Sequence, residues 1–130
     1  MARIAAAVPI ERWLQFVELT PFARRRDELR FADEDLRALE FAILANPAGA
    51  PVISGTSGVR KLRYARAKDP RGKSGGFRVL YVYFPAFGIV ALVTAYAKNE
   101  RANIDMADRR LFKELVGRIE KEWRHGQSGA

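Results

Sequence analysis

Residues 79–97 form a nominally apolar run of 19 residues, and no other segment constrains the fold as much. The run is long enough to cross a bilayer as a helix. Pro85 and Gly88 interrupt it, however, and Val, Ile, Tyr and Phe are frequent in it. Proline lacks a backbone donor and clashes with the preceding helical turn, whereas β-branched and aromatic side chains suit a pleated surface. Two apolar strands joined by a turn, at residues 77–84 and 88–97, explain the run better than one membrane helix.

The flanking sequence supplies the rest of a single domain. Residues 13–20 alternate loosely and predict a first strand. Thr20-Pro21 reads as a helix cap followed by proline at the first helical position, which opens a basic helix over residues 22–31. A second helix starts at Ala32 or Asp33. In it Leu36, Leu39 and Ile43 step by three and four, and Asn46-Pro47 stops it. Residues 49–58 are a loop rich in Gly, Pro and Ser, and residues 59–65 a strand. Residues 68–76 are a polar, basic loop that Gly72, Gly75 and Gly76 are expected to keep mobile. Asp105 caps a last helix, in which Leu111, Leu115, Ile119 and Trp123 recur every fourth residue and Val116 joins the face. That stripe reads as core. The order β-α-α-β-β-β-α predicts an α+β domain with an antiparallel sheet over residues 13–124. Residues 1–12 are expected as an N-terminal tail, too soon interrupted by Pro9 and Glu11 for a secretory signal, and residues 125–130 as a polar C-terminal tail.

Charge is unevenly placed along this frame. Between Thr56 and Arg78 lie eight basic residues and one acid, a net of +7 in a chain whose formal charge is +8. The basics are Arg60, Lys61, Arg63, Arg66, Lys68, Arg71, Lys73 and Arg78; the acid is Asp69. A local positive field of this kind favours a polyanion such as RNA or DNA, although a solvated loop that keeps the protein soluble has the same composition. Strand alternation sharpens the reading. With Leu62 turned to the core, Lys61 and Arg63 face the other way. Arg78 starts the next strand, so pairing of the two strands would bring Lys61, Arg63 and Arg78 onto one surface, with Lys98 nearby.

Several chemistries are excluded or weakened. There is no cysteine, which fits a reducing cytoplasm, and the one histidine, His125, lies in the polar tail. A zinc site or a Ser-His-Asp triad is therefore not expected, and neither is a cofactor. Gly72-Lys73-Ser74 mimics the end of a phosphate-binding loop, but Ala67 stands where that motif needs glycine, and a strand follows instead of a helix.

Four stretches together resemble a known family. They are Asn46-Pro47; Gly55-Thr56-Ser57-Gly58-Val59-Arg60-Lys61-Leu62-Arg63; Gly72-Lys73-Ser74-Gly75-Gly76-Phe77-Arg78-Val79-Leu80-Tyr81; and Tyr96-Ala97-Lys98-Asn99-Glu100. In this order and spacing they are similar to the HigB-type branch of the RelE/ParE toxin superfamily, over roughly residues 16–120. The resemblance implies a curved antiparallel sheet with helices packed on one side. It implies a toxin of a type II toxin–antitoxin module that cleaves mRNA at the ribosome. It also implies a cognate antitoxin partner of the HigA kind with a helix-turn-helix domain, and a cytoplasmic setting with no membrane partner.

Cleavage of RNA by its own 2′-hydroxyl needs a base, cations for the extra charge on phosphorus, and an acid for the leaving 5′ oxygen. Clustered basic residues in the corresponding strands serve this in the family, which marks Lys61, Arg63, Arg78 and Lys98 as candidate catalytic residues. Either Lys61 or Lys98 can be the base, because a lysine crowded by other cations is a usable one. Arg63 and Arg78 suit phosphate clamping through their guanidinium forks. Arg60, Arg66, Lys68, Arg71, Lys73 and Asn99 are candidate substrate-binding residues. Asn99 can position a substrate but cannot neutralise charge. Two other classes stay open on the residues: a non-catalytic gyrase inhibitor, as in the ParE branch, and a basic nucleic-acid-binding module or decayed toxin.

Overall fold

The computed structural model of the protein describes residues 14–66, 76–100 and 105–128. The N-terminal tail expected over residues 1–12 lies outside them. The elements are β1 (Gln15–Glu18), α1 (Thr20–Glu28), α2 (Asp33–Ala45), β2 (Val59–Tyr64), β3 (Phe77–Phe84), β4 (Ile89–Ala97), a 3-10 turn (Lys98–Glu100) and α3 (Met106–Ser128). The apolar run 79–97 is the β3–β4 hairpin, and among the described residues no helix is long and apolar enough to cross a membrane.

The sheet runs in the order β1-β4-β3-β2. The three later strands pair antiparallel, as expected of neighbours in sequence joined by turns. β1 instead lies parallel to β4, so the sheet is mixed rather than wholly antiparallel. Two helices separate β1 from the other strands, and no turn dictates its direction. Its outer position is fixed from Gln15 N to Gly88 O (2.9 Å) and from Leu19 N to Leu92 O (3.0 Å).

Both faces of the hairpin are covered, which explains why β3 and β4 read as nearly continuous apolar sequence. On one face Phe22 from α1 and Leu36, Leu39 and Ile43 from α2 pack on Val79, Tyr81 and Leu92. On the other, Val116 and Ile119 of α3 pack with Val59, Leu80, Val82 and Val93. The resemblance implies helices on one side of the sheet; here the N-terminal helices share one side and α3 covers the other. Trp123 closes that second core edge-on to Phe84, with ring centroids 5.2 Å apart.

Helix ends follow local chemistry, with differences from the expected limits. Leu19, not Thr20, is the cap of α1, and Thr20 is already helical with Pro21 behind it. The helix stops at Glu28 rather than reaching Phe31. Arg30 turns left-handed (φ 59°), and Phe31 N returns to Arg26 O at 2.9 Å. This six-to-one closure satisfies the last carbonyls and points Phe31 into the first core. The start of α2 is held by Asp35, whose carboxylate accepts from Ala32 N at 2.8 Å. Asp105 caps α3 as expected, accepting from Asp108 N at 2.8 Å. α3 then continues through His125 to Ser128, a stretch expected as tail. Leu111 does not belong to its apolar face, being 63% exposed. Steps of four advance 400° around a helix of 100° per residue, so a long every-fourth series drifts off one face. Phe112 takes that place beside Leu115, Val116, Ile119 and Trp123.

The turn into β2 is built by Thr56, which is fully buried. Its hydroxyl donates to Ile53 O (2.6 Å) and accepts from Val59 N (3.0 Å). Ser57 (φ 63°) and Gly58 (φ 116°) then take left-handed geometry, and Val59 enters the second core as the first strand residue. The alternation of every later side chain of β2 follows from that entry. Thr56→Val is expected to destabilise the protein by about 1–3 kcal/mol, because it leaves Val59 N–H buried without its acceptor. Urea unfolding checks this, with Thr56→Ser as the milder control.

Two tyrosines give the first core a pH response. Tyr81 donates to Pro47 O at 2.8 Å and Tyr64 to Asp35 O at 2.9 Å. Burial raises both phenols above the ordinary tyrosine value; Arg60 opposes the rise at Tyr81 and Arg66 at Tyr64. Their stabilising contribution is complete below about pH 10 and is lost as pH climbs through the raised folded values. Stability measured by denaturant titration is expected to fall above about pH 10, and to fall less steeply in Tyr81→Phe.

Candidate nucleic-acid interface

The register brings the candidate basics of two strands together. Lys61 lies opposite Leu80 and Arg63 opposite Arg78 across β2 and β3. Direct antiparallel partners point to the same face, with Cβ atoms about 4.5–5.5 Å apart. Lys61, Arg63 and Arg78 therefore share the face of Leu80 and Val82, the side that α3 covers further along. Arg63 is exposed, whereas Arg78 is only 9% exposed and donates from Nη1 to its neighbour's carbonyl, Phe77 O, at 3.2 Å.

A β-bulge adds a residue to this row. The pairing of β3 and β4 slips between Leu80 and Tyr81, where Thr94 and Leu92 are the partners and Val93 is extra. The slip reverses the alternation of β4 beyond it. Tyr96 consequently stands opposite Arg78 and belongs to the second core. The row Arg63–Arg78–Tyr96 thus crosses three strands on one face. Tyr96 was legible in the sequence only as part of a motif, because a bulge leaves no pattern that alternation alone would reveal.

Lys98 and Asn99 are exposed in the 3-10 turn at the same end of the sheet. Lys98 N donates to Gly76 O at 3.1 Å, which ties the turn to the residue before β3. A Cβ on Gly76 would sit 2.7 Å from Tyr64 O, so this glycine is a close-approach position between the ends of β2 and β4. The expectation that Gly76 serves loop mobility is replaced by that packing requirement.

Two other candidates hold structure instead. Arg60 lies on the opposite face, and its Nη1 donates to Ala48 O (2.9 Å) and Ala50 O (2.7 Å), pinning the loop after α2. Arg66 donates from Nη1 to Leu29 O and Arg30 O, both at 3.1 Å, and lies 4.7 Å over the ring of Phe77. It completes the C-terminal end of α1. Lys68, Arg71 and Lys73 lie outside the described residues.

Among the described residues, none of the recorded ion pairs involves Lys61, Arg63, Arg78 or Lys98. An arginine pair in direct register without a carboxylate between its members is unfavourable for folding. Its chemical use is the inverse: two guanidinium forks side by side match the oxygens of a phosphate, and lysines at the flank can move protons. Across the outer edge of β2 from the row, toward α2, an open groove of about 450 Å³ is lined in part by Ile43, Lys61, Leu62, Arg63 and Tyr81.

No protein-family model matches the chain. Among solved structures, the E. coli toxin RelE, in the free state of a double-arginine mutant, is similar at 16% identity and a TM-score of 0.46. The match covers 68% of this chain and 86% of that one. A likeness at this level carries no weight by itself.

Replacing Arg63 by leucine removes the like-charge pair and is expected to raise stability by a few tenths of a kcal/mol to about 1 kcal/mol, while nucleic-acid binding falls. Thermal melts beside a filter-binding assay test the trade. Loss of both stability and binding would make Arg63 a structural residue.

Proposed function

We propose that the protein is the toxin of a type II toxin–antitoxin module and an endoribonuclease that cuts mRNA on the ribosome. The observation that carries this reading is the Arg63–Arg78 pair, facing across β2 and β3 without a carboxylate partner among the described residues. Lys61 stands two residues before Arg63, and Lys98 lies at the same end of the sheet. The stretches that resemble the HigB-type branch include Arg63, Arg78 and Lys98 at this end of the sheet, which supports the same conclusion.

In this reading Arg63 and Arg78 hold the scissile phosphate and stabilise the charge that builds on its oxygens. Arg78, nearly buried, is the more rigid donor. Lys61 and Lys98 divide the proton transfers, one taking the 2′ proton and the other delivering a proton to the 5′ oxygen. Asn99 orients the substrate beside Lys98. The phosphodiester P–O5′ bond breaks as the 2′ oxygen bonds to phosphorus, which leaves a 2′,3′-cyclic phosphate and a free 5′-hydroxyl. No external reactant is needed.

Partners follow from the charge. A chain of net charge +8 suits a ribosome-bound RNA, and its inhibitor would be an antitoxin that is acidic where it meets the basic end of the sheet. We assign that antitoxin to the HigA-like, helix-turn-helix kind and the setting to the cytoplasm.

Brief expression in bacteria with mapping of new mRNA 5′ ends tests the proposal. In-frame cuts within translated codons are expected, and Arg78→Ala should reduce them by about a hundredfold or more, as removal of a charge-stabilising donor does elsewhere. Growth arrest with intact mRNA would overturn the mechanism in favour of gyrase inhibition or passive nucleic-acid binding.

A further inference from the structure

An acid sits where the proposed site should exclude one. Glu100 follows Lys98 by two residues in the same exposed turn, on a surface meant for a polyanion. A carboxylate there would repel phosphate and attract the lysine. The structure holds it elsewhere. Glu100 Oε1 accepts from Ala97 N at 2.7 Å, closing the turn on the end of β4. The same oxygen is paired with Arg25 Nη2. Arg25 comes from α1, and its Nε donates to Ala95 O at 2.9 Å. Its Nη1 pairs with Glu28 at 2.8 Å within the helix. One guanidinium therefore grips a β4 carbonyl, its own helix and the acid of the turn.

We propose that Arg25 is a positioning residue that neutralises Glu100 and holds it away from Lys98, so that the lysine remains available to RNA phosphate. The proposal rests on the reading of Lys98 as a site residue. Without Arg25, Glu100 keeps its backbone partner but loses its cation. Lys98, two residues away, is then the cation within the same turn. The acid then competes with phosphate for Lys98 and adds a negative charge to the path of the RNA. Planar, multidentate geometry suits arginine at this junction, and a lysine offers no fork to span three acceptors.

The charge logic separates this role from a simple tie between α1 and β4. The full chain is purified as wild type, Lys98→Ala, Arg25→Ala, Arg25→Lys, Glu100→Gln and Arg25→Ala/Glu100→Gln. Binding of a 2′-O-methylated RNA oligonucleotide, which cannot be cleaved through its 2′ oxygen, is followed against salt, beside ribosome-dependent cleavage and a thermal melt. Arg25→Ala is expected to reduce cleavage between about ten- and a hundredfold, the scale of a misplaced site group, and to lower the salt slope by about one phosphate contact. Arg25→Lys should fall between Arg25→Ala and wild type. Glu100→Gln keeps an oxygen for Ala97 N and should leave activity at or above wild type. The double variant should regain most of what Arg25→Ala loses, although its ion pairing is poorer still.

Failure to regain activity in a folded double variant would overturn the proposal and leave Arg25 as a structural tie. Loss of activity in Glu100→Gln equal to that in Lys98→Ala would overturn it too, by giving the acid a function of its own. Wild-type activity in Lys98→Ala would refute the site reading itself, and the positioning role with it. If Arg25→Ala does not fold, Glu100→Gln and Arg25→Lys decide the question through the same two readouts.

Discussion

Everything in this molecule hangs on burying the β3–β4 hairpin from both sides. Val79, Tyr81 and Leu92 look to the N-terminal helices, and Leu80, Val82 and Val93 to α3. Removing that apolar surface from water is worth about 25 cal/mol per Å² and is the main term holding the domain together. Once both faces are covered, little of the sheet remains available to a ligand. The end where Phe77, Ala97 and Tyr64 meet is the exception, and there the basic residues collect. The candidate site is thus a border of the core, where packing gives way to charge.

That border is organised by backbone features more than by the basic side chains. The buried hydroxyl of Thr56 sets where β2 begins. The bulge at Val93 brings Tyr96 beside Arg78. Gly76 lets β2 and the turn after β4 approach each other. The Arg25–Glu100 pair then fastens the turn to α1. Each acts through geometry, and each lies outside the set of cations that composition draws attention to. The concentration of unneutralised charge opposes folding, and these neighbouring bonds and the two cores offset it.

The sequence made the hairpin, the three helices and the last three strands legible, because apolar periodicity, helix-start signals and turn residues act locally. It also made the Arg63–Arg78 convergence legible, since alternation around Leu62 needs only strand pairing to become a shared face. It misplaced Leu111, because a series of fourth residues drifts around a helix. It grouped Arg60 and Arg66 with the candidate substrate contacts, because charge in a sequence does not tell whether a guanidinium meets solvent or a carbonyl. Gly76 was read as a loop glycine, and Tyr96 and Arg25 were given no role, for the same reason: their roles are relations between distant segments.

By itself, then, the sequence determined the number and kind of elements, the apolar hairpin at the centre of the sheet and the region where positive charge accumulates. Those are consequences of local propensity and composition. Only the tertiary structure decided that β1 joins in parallel, that α3 covers the face opposite α1 and α2, which arginines face outward together, and that Arg25 pairs with the acid of the turn after β4. These depend on contacts between residues as far apart as Arg25 and Glu100, and such contacts are fixed by how the whole core packs rather than by any neighbourhood of the chain.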